Sequence, residues 1–160
     1  DIECFQHFVV VPKGILQGAI PPAQYWMIPA EISHSYLEVK VEGSWCQIDS
    51  YIVDSPLLDA AKACLIQEER KMGYGVRQGS VNQWDGKRDA FSQFSENLMI
   101  EDHGRVVDPM GFYQDQRYRN KALGMPFNTV FRLMGDFGVK PINQRIDQIR
   151  MSIDQQRQPD

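Results

Sequence analysis

The sequence of 160 residues predicts an α+β domain, an antiparallel sheet with flanking helices. Three observations predict it. An apolar, β-branched run opens the chain (IECFQHFVVV, residues 2–11). An alternating segment turns at Glu42-Gly43 and reads as a hairpin (HSYLEVKVEGSWCQIDSY, residues 34–51). Helical patterns then gather in the later part of the chain. With 42% hydrophobic residues the chain can bury one core, so residues 1–160 are expected to form a single domain.

Each element has its own justification. Residues 2–11 are rich in β-branched and aromatic side chains and stop at Pro12, which suits a buried strand. Residues 12–32 carry Pro12, Gly14, Gly18, Pro21, Pro22 and Pro29, so an irregular excursion with one or two short helical turns is expected. After the hairpin, Asp54-Ser55-Pro56 can cap and open a helix running to about Lys71, with Leu58, Ala61 and Leu65 on one face and Gly73 beyond its end. Residues 73–90 are glycine-rich and irregular. Their GYGVRQG stretch has no lysine after its glycines, which argues against a phosphate loop. A strand is expected over roughly 91–100, and Asp102-His103-Gly104 reads as a turn. Asp108-Pro109 starts a short helix, and Phe127 to Gly135 forms another. The last helix is expected after Pro141, where Ile142, Ile146, Ile149 and Ile153 make a narrow apolar stripe. That stripe either docks on the domain or pairs with a second copy of the chain.

Hairpin parity picks out the candidate site. If Glu42 and Gly43 form a two-residue loop, Val41 faces Ser44, Trp45 lies opposite Lys40, Asp49 opposite Tyr36, and Tyr51 opposite His34. Side chains alternate between faces, so His34, Tyr36, Asp49 and Tyr51 project from one side. His34 and Asp49 are then diagonal neighbours roughly 7–8 Å apart, within reach of a hydrogen bond between their side chains. A three-residue loop would send Asp49 to the other face.

Composition narrows the function classes. A formal net charge of -4 and a pI near 5.4, with no basic run, argue against nucleic acid as a partner. No apolar stretch is long enough to span a bilayer, so no membrane partner is expected, and three widely spaced cysteines fit a reducing compartment, the cytoplasm. Cys4, Cys46 and Cys64 are an odd number at wide spacings and suggest no disulfide framework. No CxxC, HExxH or EF-hand pattern occurs, so neither a metal nor another cofactor is expected.

The hairpin resembles the transglutaminase-like superfamily of papain-related folds on His34, Tyr36, Glu38, Gly43, Trp45 and Asp49. HFVVVPKGILQGAIPP, SYIVDSPLLDAA, the GYG segment and the arginine-bearing C-terminal helix extend the resemblance, toward a bacterial subgroup, over most of the chain. It implies thiol acyl transfer or amide hydrolysis on a peptide or small-molecule acyl substrate. A cysteine attacks, a histidine handles the proton, and an aspartate orients the histidine. His34 and Asp49 match the second and third members of that Cys-His-Asp triad.

The cysteine has no such match. The resemblance places Asp1-Ile2-Glu3-Cys4-Phe5 in the segment between the family's cysteine helix and the next strand. On that register the helix precedes Asp1, and the domain is N-terminally incomplete. The missing segment or a second copy of the chain would then be the expected partner. A rival register makes Cys4 the nucleophile and needs a helix over residues 4–17, against three consecutive valines and Pro12. Cys46 alternates onto the face opposite His34, and Cys64 falls in a predicted helix, so both read as core. His7 and His103 read as structural. Tyr36, Tyr51 and Trp84 are the candidates for contacting substrate. Three readings follow: a thiol acyltransferase or hydrolase, a non-catalytic binding relative, and an enzyme using His34 and Asp49 for acid–base work without a thiol.

Overall fold

Val9, Val10 and Val11 are completely buried, and they decide the centre of the fold. Their branched Cβ atoms favour extended backbone, and burial of each side chain contributes on the order of 1.5–3 kcal/mol. In the computed structural model, which describes residues 2–49, 54–122 and 124–156, these valines belong to strand β1, Cys4–Pro12. The helix that the rival register required over residues 4–17 does not form. A 3-10 turn at Lys13–Leu16 and helix α1, Pro22–Met27, make up the excursion that follows. Strand β2, Glu31–Val41, and strand β3, Ser44–Ile48, form the hairpin.

Helix α2, Ser55–Gln67, starts as the sequence predicts, with the Asp54 side chain accepting from the Leu57 N–H. It stops four residues short of Lys71. Glu69 takes a left-handed conformation (φ 53°), and the N–H groups of Glu69 and Arg70 return to the carbonyls of Ile66 and Leu65. That closure is the one a glycine usually provides. Two short hairpins, β4 (Met72–Gly73) with β5 (Val76–Arg77) and β7 (Lys121–Ala122) with β8 (Met125–Pro126), flank strand β6 and helix α3. Strand β6 is Glu101–Val106 and helix α3 is Pro109–Phe112, capped by Asp108. Helices α4, Phe127–Met134, and α5, Asp136–Gln156, end the chain.

The main sheet has strand order β3-β2-β1-β6, and every neighbouring pair is antiparallel. The fold is therefore α+β with an antiparallel sheet and flanking helices. One face carries Val9, Val11, Ile32 and Tyr36, covered by Ile15, Ile28 and Phe94. On the opposite face Phe8 packs on Phe112, their rings 4.3 Å apart. A second apolar cluster joins Leu58, Ala61 and Leu65 of α2 to Tyr74, Val76 and Ile149. Ile149 thus docks the C-terminal helix on the domain.

Three further expectations are corrected. Residues 91–100 do not form a strand. Their hydrogen bonds go to separate segments, with Ser92 O accepting from Arg77 N–H and Gln93 N–H donating to Asp49. The strand is β6, and Asp102-His103-Gly104, expected as a turn, lies inside it. The turn-like residues make a bulge: the register slips between Phe8 and Val9, Gly104 has φ 72°, and its N–H donates to Asp102 Oδ1. Helix α5 begins at Asp136, not after Pro141. Proline lacks one helical donor, but near the helix start the loss is local. Tyr51 lies outside the described residues.

Candidate functional site

Glu42 and Gly43 both have positive φ, 49° and 86°, as the tightest hairpin turn requires. Val41 faces Ser44 and Lys40 faces Trp45, which sets the register that parity needs. Beyond the last ladder pair, Leu37 with Ile48, the chain continues into Asp49. There His34 Nε2 lies 2.7 Å from Asp49 Oδ1. The Asp49 side chain is fully buried, whereas that of His34 keeps 13% exposure. Asp49 Oδ2 accepts the Gln93 N–H at 2.7 Å, and the Asp49 N–H donates to Ala90 O at 2.9 Å. Residues 90–93 thus run along the free edge of β3 and pin the carboxylate.

The consequence for His34 is chemical. A carboxylate accepts, so the proton sits on Nε2 and Nδ1 is left as the basic nitrogen. Among the described residues Nδ1 makes no hydrogen bond. The Phe94 ring meets the imidazole edge-on at 5.1 Å and limits its rotation. Held by Asp49 and Phe94, the ring is set up to take or give a proton at one defined atom.

A second polar constellation occupies the same face. Pairing of β1 with β2 sets Phe5 beside Glu38, His7 beside Tyr36, and Val9 beside His34. His7 Nδ1 meets Glu38 Oε1, and His7 Nε2 lies 2.5 Å from Asp102 Oδ1. Each ring nitrogen thus faces a carboxylate oxygen, one from β2 and one from β6. Arg105 donates to Glu38 Oε2 through Nη2 at 2.6 Å and Nε at 2.9 Å. Burial pushes Glu38 up, but the bonds from Arg105 and His7 outweigh it and hold the carboxyl below its ordinary value of 4.5. Burial also raises Asp102, and the contacts with His7 and the Gly104 N–H more than reverse that. Tyr36 is pushed up by burial first and then by the charges of Asp102 and Glu38, so it stays a neutral phenol.

The two constellations are joined by rings. His7 stacks on Tyr36 at 4.6 Å, Tyr36 meets Phe91 at 5.5 Å, Phe91 meets Phe94 at 5.2 Å, and Phe94 reaches His34. His7 was expected to be an ordinary structural histidine, and its ion pairs were not foreseen. Glu38 carried a readable signal, because hairpin parity puts this charged residue on the same inward face as His34 and Tyr36.

The remaining site candidates separate. Tyr36 is on the site's face but buried between His7 and Phe91. Trp84 lies elsewhere, in the wall of a cavity of about 340 Å³ with Arg77, Asp85 and Phe91, its Nε1–H donating to Arg88 O. Cys46 pairs with Val39, which in turn pairs with Cys4, so both thiols belong to the face opposite His34. Cys64 sits on α2, against the second apolar cluster.

Both lowered carboxyls tie stability to pH. A carboxyl whose folded pKa lies below its unfolded value stabilises the fold fully above the unfolded value, and that stability is lost as pH falls through the folded one. For Glu38 and Asp102 the loss should therefore begin below about their ordinary values of 4.5 and 3.8. Urea midpoints measured from pH 6 to pH 3 should fall, and more steeply in the wild type than in Glu38→Gln. Parallel curves would contradict the assignment.

The fold and site define a class: an α+β protein whose central hairpin holds a buried aspartate against a partly exposed histidine. Comparison with models of known families, with curated proteins and with solved structures returned no match. No helix among the described residues is long and apolar enough to cross a membrane.

Proposed function

We propose that His34 and Asp49 are the proton-handling half of a thiol acyl-transfer site of the transglutaminase-like kind. The observation that carries the reading is the hydrogen bond between His34 Nε2 and the fully buried Asp49 carboxylate. It leaves Nδ1 to act. In the proposed cycle Nδ1 takes the proton of a cysteine thiol, and the thiolate attacks an amide or ester carbonyl. The imidazolium then gives that proton to the leaving amine or alcohol. Water or an amine, deprotonated by Nδ1, attacks the thioester, and the thiol recovers its proton from the imidazolium. In this reading the thiol is not one of the three in residues 1–160, since Cys4 and Cys46 are on the face opposite His34 and Cys64 packs against the second apolar cluster.

That same placement of the cysteines favours a second reading for the chain by itself. The dyad would then perform acid–base chemistry on a small molecule with no covalent step. The two readings separate by experiment. A form of the protein that includes such a thiol should hydrolyse a peptide amide or ester, or transfer its acyl group to hydroxylamine. Iodoacetamide and His34→Ala should each abolish that activity. Turnover by residues 1–160 that resists iodoacetamide but needs His34 would select the second reading. Turnover that survives His34→Ala would remove the dyad from the chemistry.

A further inference from the structure

We infer that the cleft between the 12–32 excursion, the end of α2 and helix α5 binds a small organic anion, a carboxylate or phosphate ester carried on an apolar body. The cleft encloses about 880 Å³, within the range of small-molecule sites, and His34 and Asp49 are not in its walls. One wall is apolar, made by Ile20, Pro21, Pro22, Tyr25 and Pro141. The charges in the lining are Glu68, Arg70 and Arg145.

The charges do not cancel. Glu68 is fully engaged: Oε2 accepts from Arg70 Nη1 at 2.7 Å, and Oε1 accepts from the Tyr74 hydroxyl. The Tyr74 bond, outweighing burial, keeps Glu68 below its ordinary range and therefore ionised. Tyr74, pushed up to about 12 by burial and by Glu68, stays a neutral donor. Arg70 also donates to the carbonyls of Gln17 and Met72, so its guanidinium is spent on the protein. Arg145 is different. Among the described residues it makes no ion pair, and its bond from Nε to Gly18 O at 2.9 Å leaves the two terminal nitrogens for a ligand. Gln144 and Gln148, on the same helix, add neutral donors and acceptors along the cleft. The cleft thus offers one net positive charge beside apolar side chains, which suits an amphipathic anion.

The floor is held in place. Gly18 has φ 92°, and a Cβ there would come 2.4 Å from the Tyr74 ring. Gly73, with φ 147°, would bring a Cβ 2.3 Å from Arg70 Nη2. Both glycines let backbone press against the side chains that position Glu68, so the surroundings of Arg145 are preorganised.

The test is an NMR and calorimetric titration of residues 1–160 with phenyl phosphate, phenylacetate and neutral benzyl alcohol at fixed ionic strength. Both anions should bind saturably, shift the signals of Tyr25 and Tyr74, and outbind the alcohol by about tenfold or more. The stronger of the two anions identifies the head group. Arg145→Gln should remove the preference for anions. If that change also detaches α5, Gln148→Glu decides the matter, because it leaves Arg145 in place and opposes the anion by its charge, repelling it and competing for the Arg145 terminal nitrogens one helical turn away. A several-fold loss for the anions with no change for the alcohol supports the site. Equal affinity for all three probes, shifts confined to other surfaces, or an anion affinity that Gln148→Glu leaves unchanged would overturn it.

Discussion

Asp49→Asn should leave the fold in place and lower any His34-dependent turnover by roughly four orders of magnitude, the scale seen when a catalytic histidine is held in the wrong tautomer. The reason lies in what flanks the carboxylate. The Gln93 N–H needs an acceptor, and in Asp49 one oxygen supplies it while the other meets His34. An asparagine has one oxygen and one NH₂ group to share between these positions. With its oxygen kept by Gln93, the NH₂ faces Nε2, which must then accept, and the ring proton moves to Nδ1. The basic nitrogen has been exchanged for a donor. Long-range proton–nitrogen correlations of the His34 ring would show the tautomer change directly in residues 1–160, without a substrate. An unchanged tautomer with unchanged turnover would deny Asp49 its orienting role.

Glu38→Ala should destabilise the protein by about 3 kcal/mol. Removing one partner from a buried ion pair costs about 3–5 kcal/mol, because the other charge stays behind uncompensated. Here two groups are stranded, His7 Nδ1 and the Arg105 guanidinium. The Arg105 side chain is 39% exposed and can turn to water, so the lower end of that range applies. His7 cannot escape as easily, since it is buried under Tyr36. Urea unfolding with an unchanged slope and a lowered midpoint would register the loss. A change of less than about 1 kcal/mol would show that the network contributes little beyond its geometry.

Much of this was legible in local sequence. Three valines before a proline predicted β1. Glu42-Gly43 predicted the turn, and parity alone put His34, Tyr36 and Asp49 on one face. Asp54 and Pro56 announced α2, and the isoleucine stripe marked the apolar side of the last helix, leaving docking and pairing open; Ile149 docks it. Each reading rests on a short-range rule: side-chain alternation, positive φ, capping, helical spacing. The misreadings have a common cause. Asp102-His103-Gly104 has the chemistry of a turn, and only the mismatch with β1 makes it a bulge within β6. Residues 91–100 have the composition of a strand but find their partners on Asp49 and Arg77, far away in sequence.

The sequence by itself determined the α+β class, the hairpin and its register, and the pairing of His34 with Asp49, because neighbours along the chain impose all of these. Tertiary structure decided the rest. It set His7 between Glu38 and Asp102, from three different strands. It ran a file of aromatic rings from His7 to His34, and it left Arg145 without an ion-pair partner, among the described residues, beside Gly18. Each of these depends on segments brought together from dozens of residues apart. Strand order and helix docking follow from burial of the whole apolar surface, which no local pattern encodes.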